Sequence, residues 1–127
     1  MQVQVKVSLG ELVDKISILA IKMRKIGDKE KVAHAKEEWE VLMHSLDELK
    51  LHGIGEHLSN LETINTKLWD IEDQIRLKEK ANEFDKEFIE LARAVYYTND
   101  ERFKLKDSCN STYGSELREV KSYQKYD

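Results

Sequence analysis

The chain has 127 residues, of which 36 % are charged and 40 % hydrophobic, and this balance favours one domain of long helices with a solvated face over a compact sandwich. The formal net charge of −4 supplies no basic excess, so we expect no nucleic-acid partner. No window is apolar enough to span a membrane, and we expect no membrane partner. A single cysteine, Cys109, and the lack of a secretion-like start predict a cytoplasmic protein.

The first residues predict a short β-strand. Val3, Val5 and Val7 alternate with polar residues, which is the periodicity of a strand rather than of a helix. One strand alone is marginal in stability. We therefore expect this segment to pair with a second copy of the chain or with the C-terminal segment.

Long helices follow, and the absence of proline permits them. Ser8 and Glu11 have the spacing of a capping box for helix 1, which is predicted to run to about residue 26 with Gly27 as the C′ residue that follows it. Helix 2 is predicted to start at Asp28 and to end at the glycines that include Gly53. Its apolar residues alternate three and four apart, which is the pattern of a coiled-coil interface. They are Val32, Ala35, Trp39, Leu42, Leu46 and Leu49.

Helix 3 is predicted from about Ser59 into the upper seventies, and helix 4 from the region of Phe84. Thr98 and Glu101 form a second capping-box pattern that predicts a kink or restart, and Ser115 is predicted to cap a last short helix. The sequence thus predicts one all-α domain over residues 1–127, a long-helix bundle with a short N-terminal strand. The strand, the seam of helix 2 and a second apolar side of helix 1 predict completion by oligomerisation, most simply as a homodimer.

Two helical faces that begin apolar and turn polar contain the candidate ligand site. Side chains three and four residues apart share a helical face, so the polar ones must meet partners, solvent or a ligand. Arginine suits bidentate contact with phosphate or carboxylate. We therefore hypothesise a net-basic pocket in a non-enzymatic module that binds a small anionic, phosphate-bearing ligand. The candidate ligand-binding residues are Lys22, Asn65, Glu72, Arg76, Arg93, Asn99, Arg102 and Lys106.

Other interpretations of the same residues remain open. The polar faces are also explained by solvent, or by an ion-pair network such as Glu72 with Arg102 in a scaffold protein without a small ligand. A metal-dependent nucleotide pyrophosphohydrolase is the enzymatic alternative, since carboxylates on neighbouring helices hold Mg²⁺ against phosphates. Its metal ligands would be Glu11, Asp14, Glu72 and Asp73. Outside that alternative we expect no cofactor.

Four segments, in order, resemble a family of short uncharacterised proteins of bacteria and their phages. They are SLGELVDKISILAIK, LWDIEDQIR, FIELARAVYYTNDERFKLKD and GSELREVKSY, and the resemblance covers nearly the whole chain. It implies no established activity. It does imply a polar site, because the family's pattern falls largely on polar residues of the faces described above. Those positions are Gly10, Glu11, Asp14, Lys15, Trp69, Glu72, Asp73, Arg76, Arg93, Asn99, Asp100, Arg102 and Tyr123.

Overall fold

The structure is a computed structural model, which describes residues 1–115 and Val120. The described chain is all-helical, which confirms the predicted fold class. The predicted last helix after Ser115 lies mostly outside the described residues. None of the helices in this part carries an apolar stretch that would cross a bilayer. The helices are α1 (Leu9–Lys25), α2 (Lys29–Glu48), α3 (Ile54–Lys80) and α4 (Lys86–Tyr113).

Short polar side chains cap the starts of three helices. Ser8 Oγ accepts a hydrogen bond from the Glu11 N–H at 3.1 Å, and Asp28 Oδ1 accepts one from the first turn of α2 at 2.9 Å. Asp85 accepts one from the Phe88 N–H at 2.9 Å. Each cap satisfies an N–H group that the helix itself leaves unpaired. The predicted starts at Ser8 and Asp28 are therefore confirmed.

Other predicted boundaries agree only in part. Helix α1 ends at Lys25 with Ile26 as its C-cap, close to the predicted end, but Gly27 does not adopt a left-handed conformation. Two later boundaries are wrong. The third helix begins at Ile54, well before Ser59, because Gly53 with φ 80° turns the chain directly into it. Helix α4 continues unbroken past Thr98, whose side chain is buried in the bundle rather than placed to cap a new helix.

The predicted N-terminal strand is also wrong for the described chain. Val3, Val5 and Val7 are exposed, and residues 1–7 form no strand. Alternating side chains make a strand only where a neighbouring backbone satisfies its N–H and C=O groups. No such neighbour lies beside this segment within the described residues.

Helix α1 lies at the centre of the bundle. It packs against all three other helices of the described chain, whereas α2 approaches α1 alone and α3 pairs with α4. Their buried side chains form one core, made of Val13, Ile16, Leu46, Leu61, Ile64 and Cys109. Burial raises the pKa of the Cys109 thiol to about 11, which makes this cysteine a packing residue rather than a nucleophile.

Helices α3 and α4 extend beyond the end of α1. They have 27 and 28 residues against 17 in α1, and Lys25 at the end of α1 reaches only to Asp70 of α3. We call the part beyond, residues 74–90, the projecting hairpin. Its turn is held by Lys78, whose ammonium lies within 3.1 Å of carboxylates of Glu83, Asp85 and Glu87. These hydrogen bonds, that of Asp85 first, raise the pKa of Lys78.

The apolar seam of α2 packs within the chain. Trp39 is half-buried and contacts the core, as does the buried Leu46, while the last member, Leu49, is 53 % exposed. A seam that α1 already covers no longer requires a second copy of the protein.

We expect Trp39→Ala to lower the free energy of unfolding by about 2–3 kcal/mol, less than for a fully buried tryptophan because part of the ring meets solvent. Chemical denaturation measures it. Val41→Ala, on the exposed side of the same helix, is the control and should change stability by less than about 0.5 kcal/mol. Equal effects of the two substitutions would contradict the packing described here.

Candidate functional site

The polar face of α4 meets α1. Arg102 Nε donates to Asp14 Oδ1 at 2.9 Å and its Nη2 donates to Oδ2 at 2.5 Å, which makes a bidentate ion pair. Asp14 is only 1 % exposed. A carboxylate buried so deeply needs a cation, because losing its hydration costs several kcal/mol. The contact therefore fixes α4 against α1.

Asn65 of α3 joins the same network. Its Nδ2 donates to Asp14 Oδ1 and to Ser17 Oγ, both at 2.8 Å. The Ser17 hydroxyl in turn donates to the backbone carbonyl of Asp14 at 2.6 Å. Asp14 thus has partners from α1, α3 and α4.

Further along, α4 contacts the first turn of α1. The ammonium of Lys106, nearly buried, lies 2.7 Å from Glu11 Oε2, and the Gly10 N–H donates to Asn110 Oδ1 at 2.7 Å. A Cβ on Gly10 would lie 2.5 Å from the backbone carbonyl oxygen of Lys106. Since backbone cannot yield as a flexible side chain can, only glycine fits this approach of the two helices.

Part of the predicted site forms ion pairs within the protein, which is one of the interpretations that the sequence left open. Arg102 pairs with Asp14, whereas Glu72 contacts Arg76 on its own helix. Lys106 likewise pairs with Glu11. Three of the four carboxylates that the enzymatic alternative assigns to a metal, Glu11, Asp14 and Glu72, are therefore the partners of predicted anion-binding cations.

The proposed metal ligands do not converge. Glu11 and Asp14 belong to the interface of α1 with α4, and Glu72 and Asp73 lie on α3. Among residues 1–115 and Val120, no three histidine, cysteine or acidic side chains are placed to hold a metal ion. This part of the chain does not form the four-carboxylate Mg²⁺ site of the alternative.

A cavity of about 310 Å³ opens between α1, α3 and α4, beside the Asp14 network. Its volume is at the lower end of the range of small-molecule sites, which are concave, mostly apolar and lined by a few polar groups. The apolar wall consists of Ile18, Ile21, Leu68 and Trp69. The polar lining consists of Asn65, Glu72, Asp73, Arg76 and Arg102.

The sequence predicted a net-basic pocket, but the cavity is balanced in charge. Two arginines and two carboxylates line it, and Asp14 lies behind Arg102. The two arginines differ in freedom. Asp14 holds Arg102 in place, while the side chain of Arg76 is 79 % exposed and has a contact of 3.4 Å with Glu72. An exposed pair of this length contributes little, so Arg76 is able to turn toward a ligand.

The remaining predicted residues lie elsewhere. Lys22, Arg93, Asn99 and Lys106 are not among the described residues that line the cavity. Arg93 is exposed and donates to the Tyr97 hydroxyl at 3.5 Å. The prediction combined residues of two regions of the structure, the cavity and the interface of α4 with α1.

Sequence reasoning did not assign the apolar wall to the site. Ile18 and Ile21 lie off the main apolar stripe of α1, which is the available sequence signal for a second surface there. Gly10 in the first turn of a helix is a sequence signal for the close approach of α4, because glycine is a poor helix former and its presence there needs another reason.

Comparison with known families places the chain. It matches a family of unknown function (DUF6165) over residues 3–126. The chain belongs to this family. The resemblance of the four segments is thereby confirmed at the level of an uncharacterised family. Neither the curated proteins nor the solved structures gave a match.

We expect Arg102→Ala to destabilise the fold by about 3–5 kcal/mol, because it leaves the buried Asp14 carboxylate without its cation. Replacing both partners, as in Asp14→Leu with Arg102→Met, should recover much of that loss. Arg76→Ala is the control and should change stability by less than about 0.5 kcal/mol. Urea denaturation tests the set, and an Arg102→Ala protein of unchanged stability would exclude the structural role of the pair.

Proposed function

We propose that the protein is a non-enzymatic helical module that binds a small phosphate-bearing, nucleotide-like ligand in the cavity between α1, α3 and α4. The observation that supports this best is the arrangement of its walls. Arg76 and Arg102 line the same cavity as an apolar surface that includes Trp69. Such a site suits a molecule with an anionic group and a flat apolar part.

The two arginines have complementary roles in this proposal. Arg102 is held by Asp14, so little side-chain freedom is lost when a ligand reaches it. Arg76 is exposed and adds a charge that Asp14 does not offset. The indole of Trp69 and the side chains of Ile18 and Leu68 supply the apolar contacts.

The bacterial or phage origin that the resemblance implies would give such binding a simple use. A small cytoplasmic protein that holds a nucleotide removes it from the free pool. Sequestration requires no chemical step and no metal. A cavity that binds the ligand is sufficient for it.

Fluorescence of Trp69 offers a direct test. The chain has two tryptophans, so Trp39→Phe leaves Trp69 as the single reporter at the cavity wall. We expect at least one of a panel of nucleotides and phosphorylated sugars to change this fluorescence and to raise the melting temperature, since a ligand that binds only the folded state stabilises it. Arg76→Ala should weaken binding by roughly tenfold, the loss of one charge-assisted hydrogen bond.

Arg24→Ala is the matched control, because Arg24 is an exposed arginine that pairs with Glu62 away from the cavity lining. It should bind as the parent protein does. If no compound of the panel binds, with or without Mg²⁺, the proposal is wrong. Mg²⁺-dependent turnover that Glu72→Gln abolishes would replace it with the hydrolase alternative.

We also propose that the protein is a homodimer, with the projecting hairpin as the contact between copies. Leu77, Phe84 and Ile89 of this hairpin are 67, 57 and 55 % exposed. A stable interface buries about 800 Å² on each partner, which requires several such side chains on one surface. A two-fold contact uses the same surface on both copies, so each of these residues becomes buried on both copies.

Light scattering on purified protein tests the dimer. We expect a dimer at tens of micromolar and a monomer for Ile89→Glu, because a buried unpaired charge opposes association. Val41→Glu, an equally exposed position on α2, is the control and should remain dimeric. A monomeric parent protein would contradict the proposal, and a monomeric Val41→Glu protein would move the interface to α2.

A further inference from the structure

The side-chain amide of Asn65 has only one possible orientation. Its Nδ2 lies 2.8 Å from an oxygen of Asp14 and 2.8 Å from Ser17 Oγ. Turning the amide over would place its oxygen against a carboxylate oxygen. It would also remove the donor for Ser17, whose hydroxyl proton already goes to the Asp14 carbonyl. The acceptors of the network therefore require Nδ2 to face Asp14 and Ser17, and Oδ1 points to the opposite side.

The oxygen on that side has no partner within the described chain. Asn65 is only 5 % exposed, and its hydrogen bonds in the described part all come from Nδ2. Among the described residues, every side-chain oxygen or nitrogen that is fully buried has a hydrogen-bond partner. Oδ1 must therefore face open space, and the space that Asn65 lines is the cavity.

We infer that Asn65 Oδ1 is the acceptor for an N–H group on the base of a nucleotide, which makes Asn65 a specificity-determining residue. This inference rests on the proposed function and names the part of the ligand that the arginines do not bind. Both amide protons of Asn65 are already donated, so the residue offers the ligand an acceptor only. The apolar residues beside it, with Trp69 among them, suit the faces of a flat ring.

The two arginines of the site are less selective for a base. Arg76 and Arg102 recognise any anion of suitable size, and inorganic phosphate or a sugar phosphate satisfies them equally. A buried acceptor discriminates differently, since a ligand without the matching donor leaves it unpaired. Of the acceptors among the described residues that line the cavity, Asn65 is buried, whereas Glu72 and Asp73 remain accessible to water, so hydrogen-bonded selection for nucleotides over other phosphates falls to Asn65.

Matched pairs of methylated nucleotides test this on the unaltered fold. For uridine 5′-monophosphate, a methyl group on N3 removes the donor, whereas a methyl group on C5 adds the same bulk and keeps it. Guanosine 5′-monophosphate donates through both N1 and N2, so its nitrogen-methylated form is N1,N2,N2-trimethyl, and that of adenosine 5′-monophosphate is N6,N6-dimethyl. The C8-methyl form is the carbon-methylated control for each. For the nucleotide that binds most tightly, we expect methylation of the donor nitrogen to weaken binding roughly tenfold or more relative to methylation of carbon.

Asn65→Ala supplies the second measurement, provided that circular dichroism shows it folded. It should bind the nitrogen- and carbon-methylated forms alike, because the acceptor is gone. If both methylations have the same effect on the parent protein, or if ribose 5-phosphate binds as tightly as any nucleotide, the inference fails and the proposed function stands. If neither nucleotides nor sugar phosphates bind, both fail.

Discussion

The buried carboxylate of Asp14 is the constraint on which the arrangement of the helices depends. It lies on α1, the helix that touches all the others in the described chain, and its charge requires a cation and donors close by. Arg102 from α4 and Asn65 from α3 supply them. Apolar packing between helices is tolerant of small shifts along the axis, whereas a bidentate ion pair is not. We interpret the pair as the contact that sets the register of α3 and α4 on α1.

The same reasoning explains why the apolar face of α4 turns polar toward its end. Arg102, Lys106 and Asn110 follow each other at intervals of one helical turn, and they meet successive positions of α1 in antiparallel order. Near Gly10 the helices are too close for apolar side chains to fill the space between them. The polar groups there satisfy the first turn of α1, whose N–H groups have no partner within the helix.

The sequence predicts local features of this fold well and distant pairings poorly. The caps at Ser8 and Asp28 were predictable because each one satisfies a backbone group within a few residues of itself. The pairing of Arg102 with Asp14 spans 88 residues. Charge spacing on one helix cannot identify such a partner, and Glu72 looked equally suitable. The strand prediction failed for a related reason, since Val3 and Val5 show alternation but not whether another strand lies beside them.

The place of Arg102 in both the network and the cavity limits what the cavity can hold. An anion that approaches Arg102 also approaches the negative charge of Asp14 behind it, and Glu72 and Asp73 line the same space. Free phosphate would gain contacts with two arginines, and these contacts alone would have to offset this repulsion. A ligand that carries a ring also buries apolar surface against Trp69 and its neighbours, which contributes about 25 cal/mol for each Å² removed from water. The balance of charges therefore favours amphipathic phosphates over inorganic ones, because the apolar wall adds to the affinity that the two arginines supply.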